Sequence, residues 1–426
     1  MKWKQQKSNI AIGILFLIAF VVVLRNPAVF FPDSQGYLEM HIIRTPGYPL
    51  FLQFAQSIFG DYFETATVTI QILFGCFSIY YFIYKLRSNQ VLNDFFSVCL
   101  AFVLLLPFIT GLKIANNMLS ESLSYSLYLI IVAKFIAFFL TKNVKELYMT
   151  LPILAVLLIT RYQFIFFIPL GLGLIFWVSY VQKSFKKYAL ISVLFVALPL
   201  ITSLADKTYH KIIHGHFVST PWTGMSVITP ILFVADAEDA TVLETAKEKE
   251  FFNNVYQDLA EKQMNSNHLQ VPSNDTPTMY YIKNYANIQM GPIFKNGEAL
   301  LDKTLTKTEK FIALDQFISK VSKPLLFDNF SKWRRLYTGN AIFGFGGFKY
   351  ALLYFLIALC SCIALLKRDQ AIYKIIGLSS LLVIGNVLIV AIGMHAVVRF
   401  TFYSDWVLFF TIFVLLNALN KKRYES

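Results

Sequence analysis

Residues 32–49 read PDSQGYLEMHIIRTPGYP, a polar stretch broken by Pro and Gly that carries Asp33, Glu39, His41 and Arg44. An apolar run ends at Leu24 before it, and another begins near Thr65 after it. A hydrocarbon core about 30 Å thick takes about 20 apolar residues to cross as helix. The stretch therefore falls in a loop between two membrane crossings, where carboxylates and an arginine can work at the bilayer surface.

Working outward, apolar runs recur near 10–24, 65–84, 92–110, 122–140, 147–160, 163–181, 188–204, 348–366, 371–393 and 401–419. They predict an all-α polytopic membrane protein with about ten transmembrane helices. Composition agrees: only 15% of the 426 residues are charged, against about 25% in a soluble domain. Met1 to Leu24 has the charge pattern of a secretory signal, but 26–31 offer no small-residue cleavage site, so the segment reads as an anchor. Cys76, Cys99, Cys360 and Cys362 all fall inside expected spans, which favours packing roles over disulfides or thiolate zinc. Neither a repeat of solenoid period nor a pair of inverted halves is visible.

The formal charge of +13 has a definite location. Residues 205–347 hold 15 basic and 15 acidic side chains, so the whole excess flanks the spans. This argues against nucleic acid as a partner and for the positive-inside rule. Clusters at Lys2, Lys4 and Lys7, Lys85 and Arg87, Lys142 and Lys145, Lys183, Lys186 and Lys187, Lys367 and Arg368, and Lys421, Lys422 and Arg423 mark the cytoplasmic connections. The opposite short connections carry Arg25, Arg44, Lys113, Arg161 and Arg399. The expected setting is a plasma (inner) membrane, with both termini cytoplasmic and the loop at 25–64 on the external face.

That topology sends Asp33, Glu39, Arg44, Glu121, Arg161, His395 and Arg399 to one outer face, although they stand far apart in sequence. Each alone could be an interfacial anchor or a structural ion pair; their convergence makes a site. The expected organisation is an N-terminal transmembrane module over 1–204, an external soluble segment or cap over 205–347, and C-terminal transmembrane helices with a cytoplasmic tail over 348–426. Charge patterning predicts helices around 242–264 and 300–323 in the cap, with Pro272, Pro277, Pro292 and Pro324 as breakers. Residues 217–235 are apolar but contain Pro221, Gly224 and Pro230, so they read as an interfacial or buried segment rather than a span.

Pro32-Asp33-Ser34-Gln35-Gly36-Tyr37 followed by Arg44-Thr45-Pro46-Gly47-Tyr48-Pro49 resembles the first-loop signature of the GT-C glycosyltransferases, relatives of protein mannosyltransferases and lipid A aminoarabinose transferases. Residues 116–123, NNMLSESL, are similar to that superfamily's second-loop acidic segment. The matched motifs cover about the first third of the chain. The resemblance implies an inverting transferase that moves a sugar from a polyprenyl-phosphate donor to a cell-surface glycan, lipid or protein acceptor. Asp33 would then be the general base, with Arg44, Tyr37, Glu121, Arg161, His395 and Arg399 binding substrate and phosphate. Guanidinium groups present a fork of donors that matches phosphate oxygens. Ser34 stands where a common form of the pattern has a second acidic residue. A divalent Mg or Mn would therefore have to draw on Glu39 and Glu121.

Other features carry less. His210 and His214 share a helix face, with His216 nearby, but without HExxH they read as structural. Residues 339–347, GNAIFGFGG, lack the Gly-Lys-Ser/Thr of a phosphate loop. Tyr37 and Tyr48 could stack on sugar, with packing the default role. Two rivals remain. An envelope polysaccharide polymerase or ligase would place essential arginines in the large loop, where Arg334 and Arg335 stand. A lipid or solute transporter would carry mid-span polar groups, of which Lys134 is the main one.

Overall fold

The structure, a computed structural model, describes residues 2–270 and 275–425; the expected breaker Pro272 lies outside the described residues. The described chain is helical: α1 Lys2–Leu24, α2 Pro32–Leu38, α3 Gly47–Phe59, α4 Phe63–Ser88, α5 Asp94–Ile109, α6 Glu121–Thr141, α7 Lys145–Thr160, α8 Phe167–Gln182, α9 Phe185–His214, α10 Thr223–Val234, α11 Ala246–Glu261, α12 Pro277–Ile288, α13 Phe294–Ala299, α14 Lys307–Asp328, α15 Phe330–Gly344, α16 Phe348–Lys367, α17 Ala371–Gly393, α18 Val398–Thr401 and α19 Trp406–Glu425. Among the described residues, eight helical segments are long and apolar enough to cross a membrane. Ten spans were expected. The two that fall short on length are α5 and α7, each of 16 residues, or about 24 Å of helix at 1.5 Å per residue.

The chain divides into two compact units. The first takes residues 1–206, 352–386 and 402–426; the second takes 207–351 and 387–401. Within the first, α6 is the axial element. Tyr125, Tyr128, Phe135 and Phe138 on it are fully enclosed, and it packs against α4, α7 and α8. Lipid tails give apolar helices little reason to associate, so close fit and interhelical hydrogen bonds must hold them. Small polar groups supply both on α6. Ser124 Oγ lies 2.8 Å from the Tyr403 hydroxyl, and Tyr128 bonds Ser404 at 3.1 Å.

At one end of this unit two carboxylates are each shared by two lysines. Glu146 meets Lys85 at 2.5 Å and Lys134 at 3.5 Å; Asp369 meets Lys374 at 2.7 Å and Lys142 at 3.3 Å. The mid-helix Lys134 is thus accounted for by a partner one helix away, with the Tyr81 ring 5.4 Å from its ammonium.

The second unit has its own apolar core. Within residues 217–235, expected to be buried or interfacial, Thr223–Val234 form α10, whose Ile228, Ile231 and Phe233 are fully enclosed, while Phe217 ahead of it is exposed. Around it pack Phe251, Phe252, Val255 and Leu259 of α11, Tyr281 and Ile288 of α12, and Leu314, Ile318 and Val321 of α14. The i, i+4, i+8 spacing of the α11 residues gives the helix a single apolar stripe. Its start is fixed by a capping box between Thr245 and Glu248, and that of α14 by the same device between Thr306 and Glu309. Asp315 on α14 accepts the Gly224 amide at 2.7 Å, tying α14 to the first turn of α10.

Two expected breakers do not break helices. Pro324 lies inside α14. Pro292 is absorbed in a π turn over Gln289–Ile293, whose wider hydrogen-bond spacing accommodates a residue without an N–H.

Candidate functional site

The external loop expected at 25–64 is a folded corner. Pro32 opens α2 with φ already suited to helix and no N–H to strand. The Phe31 amide donates to Ser34 Oγ at 2.9 Å, and Asp33 occupies the first turn, where a carboxylate is favoured by the helix dipole. The helix ends after two turns because Met40 adopts a left-handed φ of 52°. The His41 amide then closes back on the Gly36 carbonyl at 2.9 Å.

This reversal brings Arg44 over the helix it has just left. Arg44 Nη2 donates to Asp33 Oδ1 at 2.9 Å, and its guanidinium lies 4.7 Å from the centre of the Tyr37 ring. A Cβ on residue 36 would stand 2.9 Å from Arg44 Nε. Gly36 is therefore what lets the guanidinium lie flat on α2. Anchors fix the corner from outside: Thr45 donates to the Thr160 carbonyl at 3.0 Å, and Gln53 to the Leu38 carbonyl at 3.0 Å. Earlier in the loop, Val29 pairs with the segment before α6, its amide donating to the Asn116 carbonyl at 2.8 Å and its carbonyl accepting from Met118 at 2.9 Å.

A second ion pair lies beneath. Glu121, first residue of α6, meets Arg161, which follows α7, at 3.0 Å. The side chains are only 3% and 10% exposed, so this pair is far less screened than Asp33–Arg44. Arg161 also donates to Ser120 Oγ at 3.1 Å and, from Nε and Nη2, to Gln163 Oε1 at 3.1 and 3.0 Å. Gln163 in turn donates to Asn386 Oδ1 at 3.2 Å. Ser120 joins the two pairs, since its Oγ is 3.5 Å from the Tyr37 hydroxyl. Tyr37 packs edge-on to Tyr48, which donates to Gln71 Oε1 at 3.4 Å.

Of the residues singled out in the sequence, Asp33, Tyr37, Arg44, Glu121 and Arg161 stand in this connected array. Glu39 is exposed and accepts from Gln35 at 2.5 Å. Among the described residues no three His, Cys, Asp or Glu side chains are gathered to hold a metal ion, and Glu121 is engaged with Arg161. Glu39 and Glu121, the carboxylates proposed for Mg or Mn, are thus each engaged with another side chain, Gln35 and Arg161 respectively.

His395 and Arg399 belong to the second unit. There His395 Nδ1 is 2.8 Å from the Ile282 carbonyl and its ring stacks on Tyr285 at 4.8 Å. Burial holds its pKa below the usual imidazole value, with the nearby Arg399 charge acting in the same sense. Arg399 lies over the Phe400 ring at 5.5 Å. His210 is buried, with Nε2 3.2 Å from Thr220 Oγ1 and its ring 5.4 Å from that of His214.

Sequence reasoning passed over Ser120, Gln163, Gln71 and Asn386. Two of them carried a signal: an amide inside an apolar run, as at Gln71 and Asn386, must find a partner.

Compared with known proteins, the chain matches no family model, no curated protein and no solved structure.

Proposed function

We propose that the chain is a membrane glycosyltransferase of the GT-C type, transferring a sugar from a polyprenyl-phosphate donor to a hydroxyl on a glycan, lipid or protein at the external face of the membrane. The observation that carries the reading is the array from Asp33 through Arg44, Tyr37 and Ser120 to Arg161. It joins a half-exposed carboxylate to a buried, carboxylate-held guanidinium using three segments far apart in sequence.

In this mechanism Asp33 takes the proton of the acceptor hydroxyl as its oxygen attacks the anomeric carbon from the face opposite the phosphate. The carbon–oxygen bond to phosphate breaks, the configuration inverts, and the polyprenyl phosphate leaves with the electron pair. A base so placed contributes about 10² to 10⁴ in rate. Phosphate needs no protonation to depart, so the larger task is stabilising its developing charge. Arg161 suits that role: its orientation is fixed by Glu121 and Gln163 before substrate arrives, so little reorganisation accompanies reaction. Arg44 orients Asp33 and can turn to the phosphate when the acceptor claims the carboxylate.

The test is incubation of the purified protein in detergent with a panel of polyprenyl-phosphate sugars and acceptors. Asp33→Asn should lower transfer by at least about a hundredfold, while Arg334→Ala/Arg335→Ala should leave it near wild type. Equal turnover by wild type and Asp33→Asn removes Asp33 as the base. Loss only in the arginine double variant turns the assignment to a polysaccharide polymerase or ligase.

A further inference from the structure

Large apolar side chains left exposed in the second unit follow a pattern along the chain. Among the described residues of 218–326, Met290 is the one such side chain that is exposed. Phe327, Phe330, Phe343, Phe348 and Tyr350 are exposed in close succession just after it. A soluble unit does not leave a run of aromatic rings in water by accident. Phe327 and Phe330 lie where α14 hands over to α15, Phe343, Phe348 and Tyr350 lie around the other end of α15, and the chain enters α16, a helix apolar and long enough to cross a membrane, four residues after α15 ends.

The helix itself is two-sided. Leu336, Asn340 and Ala341 are buried, while Phe330, Arg334, Arg335 and Thr338 share the opposite, exposed face. Phe327 is 71% exposed and Phe330 50%. Phe330 stacks on Trp333 at 5.9 Å, and Trp333 on Tyr337 at 5.2 Å, so the rings form a continuous ladder along the helix. Lys323 on the preceding turn of α14 adds a third exposed cation. The acidic residues of this corner are Asp328, Asp236 and Asp239; Lys332 pairs with Asp236 and Asn329 donates to Asp239 at 2.6 Å, while Lys323, Arg334 and Arg335 stand as exposed cations beside Asp328. Rings at the headgroup level and arginines beside them are what an anionic membrane interface selects.

We propose that the α14–α15 corner is a membrane-docking surface: Phe327 and Phe330 enter the interfacial layer of the bilayer, and Arg334 and Arg335 engage the phosphates of anionic lipids. The partner is the bilayer rather than another protein because the exposed rings are continuous along the chain with the start of a span. Their cationic neighbours also match a lipid phosphate surface. This reading is independent of what reaction the protein performs.

The test places p-benzoylphenylalanine at position 327 or 330 of the full-length protein, with position 290 as control, in vesicles of phosphatidylcholine with and without phosphatidylglycerol. Irradiation followed by mass spectrometry should give lipid adducts at 327 and 330 and none at 290. Adding Arg334→Glu and Arg335→Glu to the position-330 variant should lower adduct yield several-fold with phosphatidylglycerol present and remove the dependence on it. Equal adducts at 290 and 330, cross-links to a second copy of the chain in place of lipid, or a yield insensitive to both lipid charge and arginine reversal would each overturn the proposal. Gel filtration of each variant before irradiation confirms that the probe has not unfolded it.

Discussion

Gly36→Ala is the substitution that most directly tests whether Arg44 holds Asp33 in place. The added methyl would stand 2.9 Å from Arg44 Nε and 3.4 Å from Nη2, where carbon contacts are comfortable at about 3.5 Å or more. The obstructed atoms are the tip of a flexible side chain, so the backbone can stay while the guanidinium retreats by about half an ångström. The 2.9 Å bond to Asp33 Oδ1 then lengthens past the ordinary limit. The pair is partly exposed, at 20% and 39%, and worth at most about 1 kcal/mol. Alanine in a helix interior returns roughly 0.5–1 kcal/mol over glycine. Net stability should change by less than about 1 kcal/mol while Asp33 loses its orienting partner.

Two measurements follow: thermal unfolding in detergent, and the rate at which a water-soluble carbodiimide labels Asp33, read by peptide mass spectrometry. The expected result is an unchanged midpoint with faster labelling. Gly47→Ala supplies the contrast. Its Cβ would lie 2.8 Å from Thr160 Cα and 2.9 Å from Thr160 N, main-chain atoms that cannot swing aside. There the cost should be about 1–3 kcal/mol. Labelling at the wild-type rate in a stable Gly36→Ala protein would refute the argument that Arg44 fixes the carboxylate.

Arg161→Ala removes the cation 3.0 Å from a carboxylate that is 3% exposed, and should cost about 3–5 kcal/mol. Glu121→Gln with Arg161→Gln should cost less than the sum of the two single changes, and a thermal-melt double-mutant cycle that came out additive would contradict this. Asp369 gives a pH signature. Burial works to raise its pKa, but hydrogen bonds from Lys374 and Lys142 outweigh it and hold the carboxyl below the usual aspartate range. A depressed folded pKa means stability present above the unfolded value, near 4, and lost as pH falls through the folded one. Wild type should therefore lose midpoint temperature on acidification through that window more steeply than Asp369→Asn, measured in parallel.

Much of this was legible in the sequence, and the part that was not has a common cause. The helices around 242–264 and 300–323 announced themselves through their charge patterning, while the capping boxes Thr245/Glu248 and Thr306/Glu309 that start α11 and α14 went unread. Asp33 and Arg44 were visible because both lie in one short polar stretch. Glu121 and Arg161 were each suspect as charges beside a span, but their pairing depends on how the end of α7 meets the start of α6, and no local pattern encodes that crossing. The division of the chain was hidden for the same reason: residues 387–401 join the second unit through contacts such as Asn340 with the Ala391 and Met394 carbonyls, at 3.2 and 2.7 Å. Span counting by hydropathy also registered α5 and the shorter run of α7, which ends at Arg161; each is a helix of 16 residues.

The side-chain amide nitrogen of Asn116 lies within hydrogen-bond reach of three carbonyls, those of Val23, Asn26 and Pro27, at 3.0, 2.9 and 3.3 Å, its two N–H groups shared among them. The opening helix is therefore stoppered by a residue synthesised some ninety positions later. A nascent chain halted before that asparagine would hold its first helix with a frayed end, and the polypeptide beyond it would have no seat. Assembly of the acidic corner must therefore wait for the connection between the fifth and sixth helices to emerge.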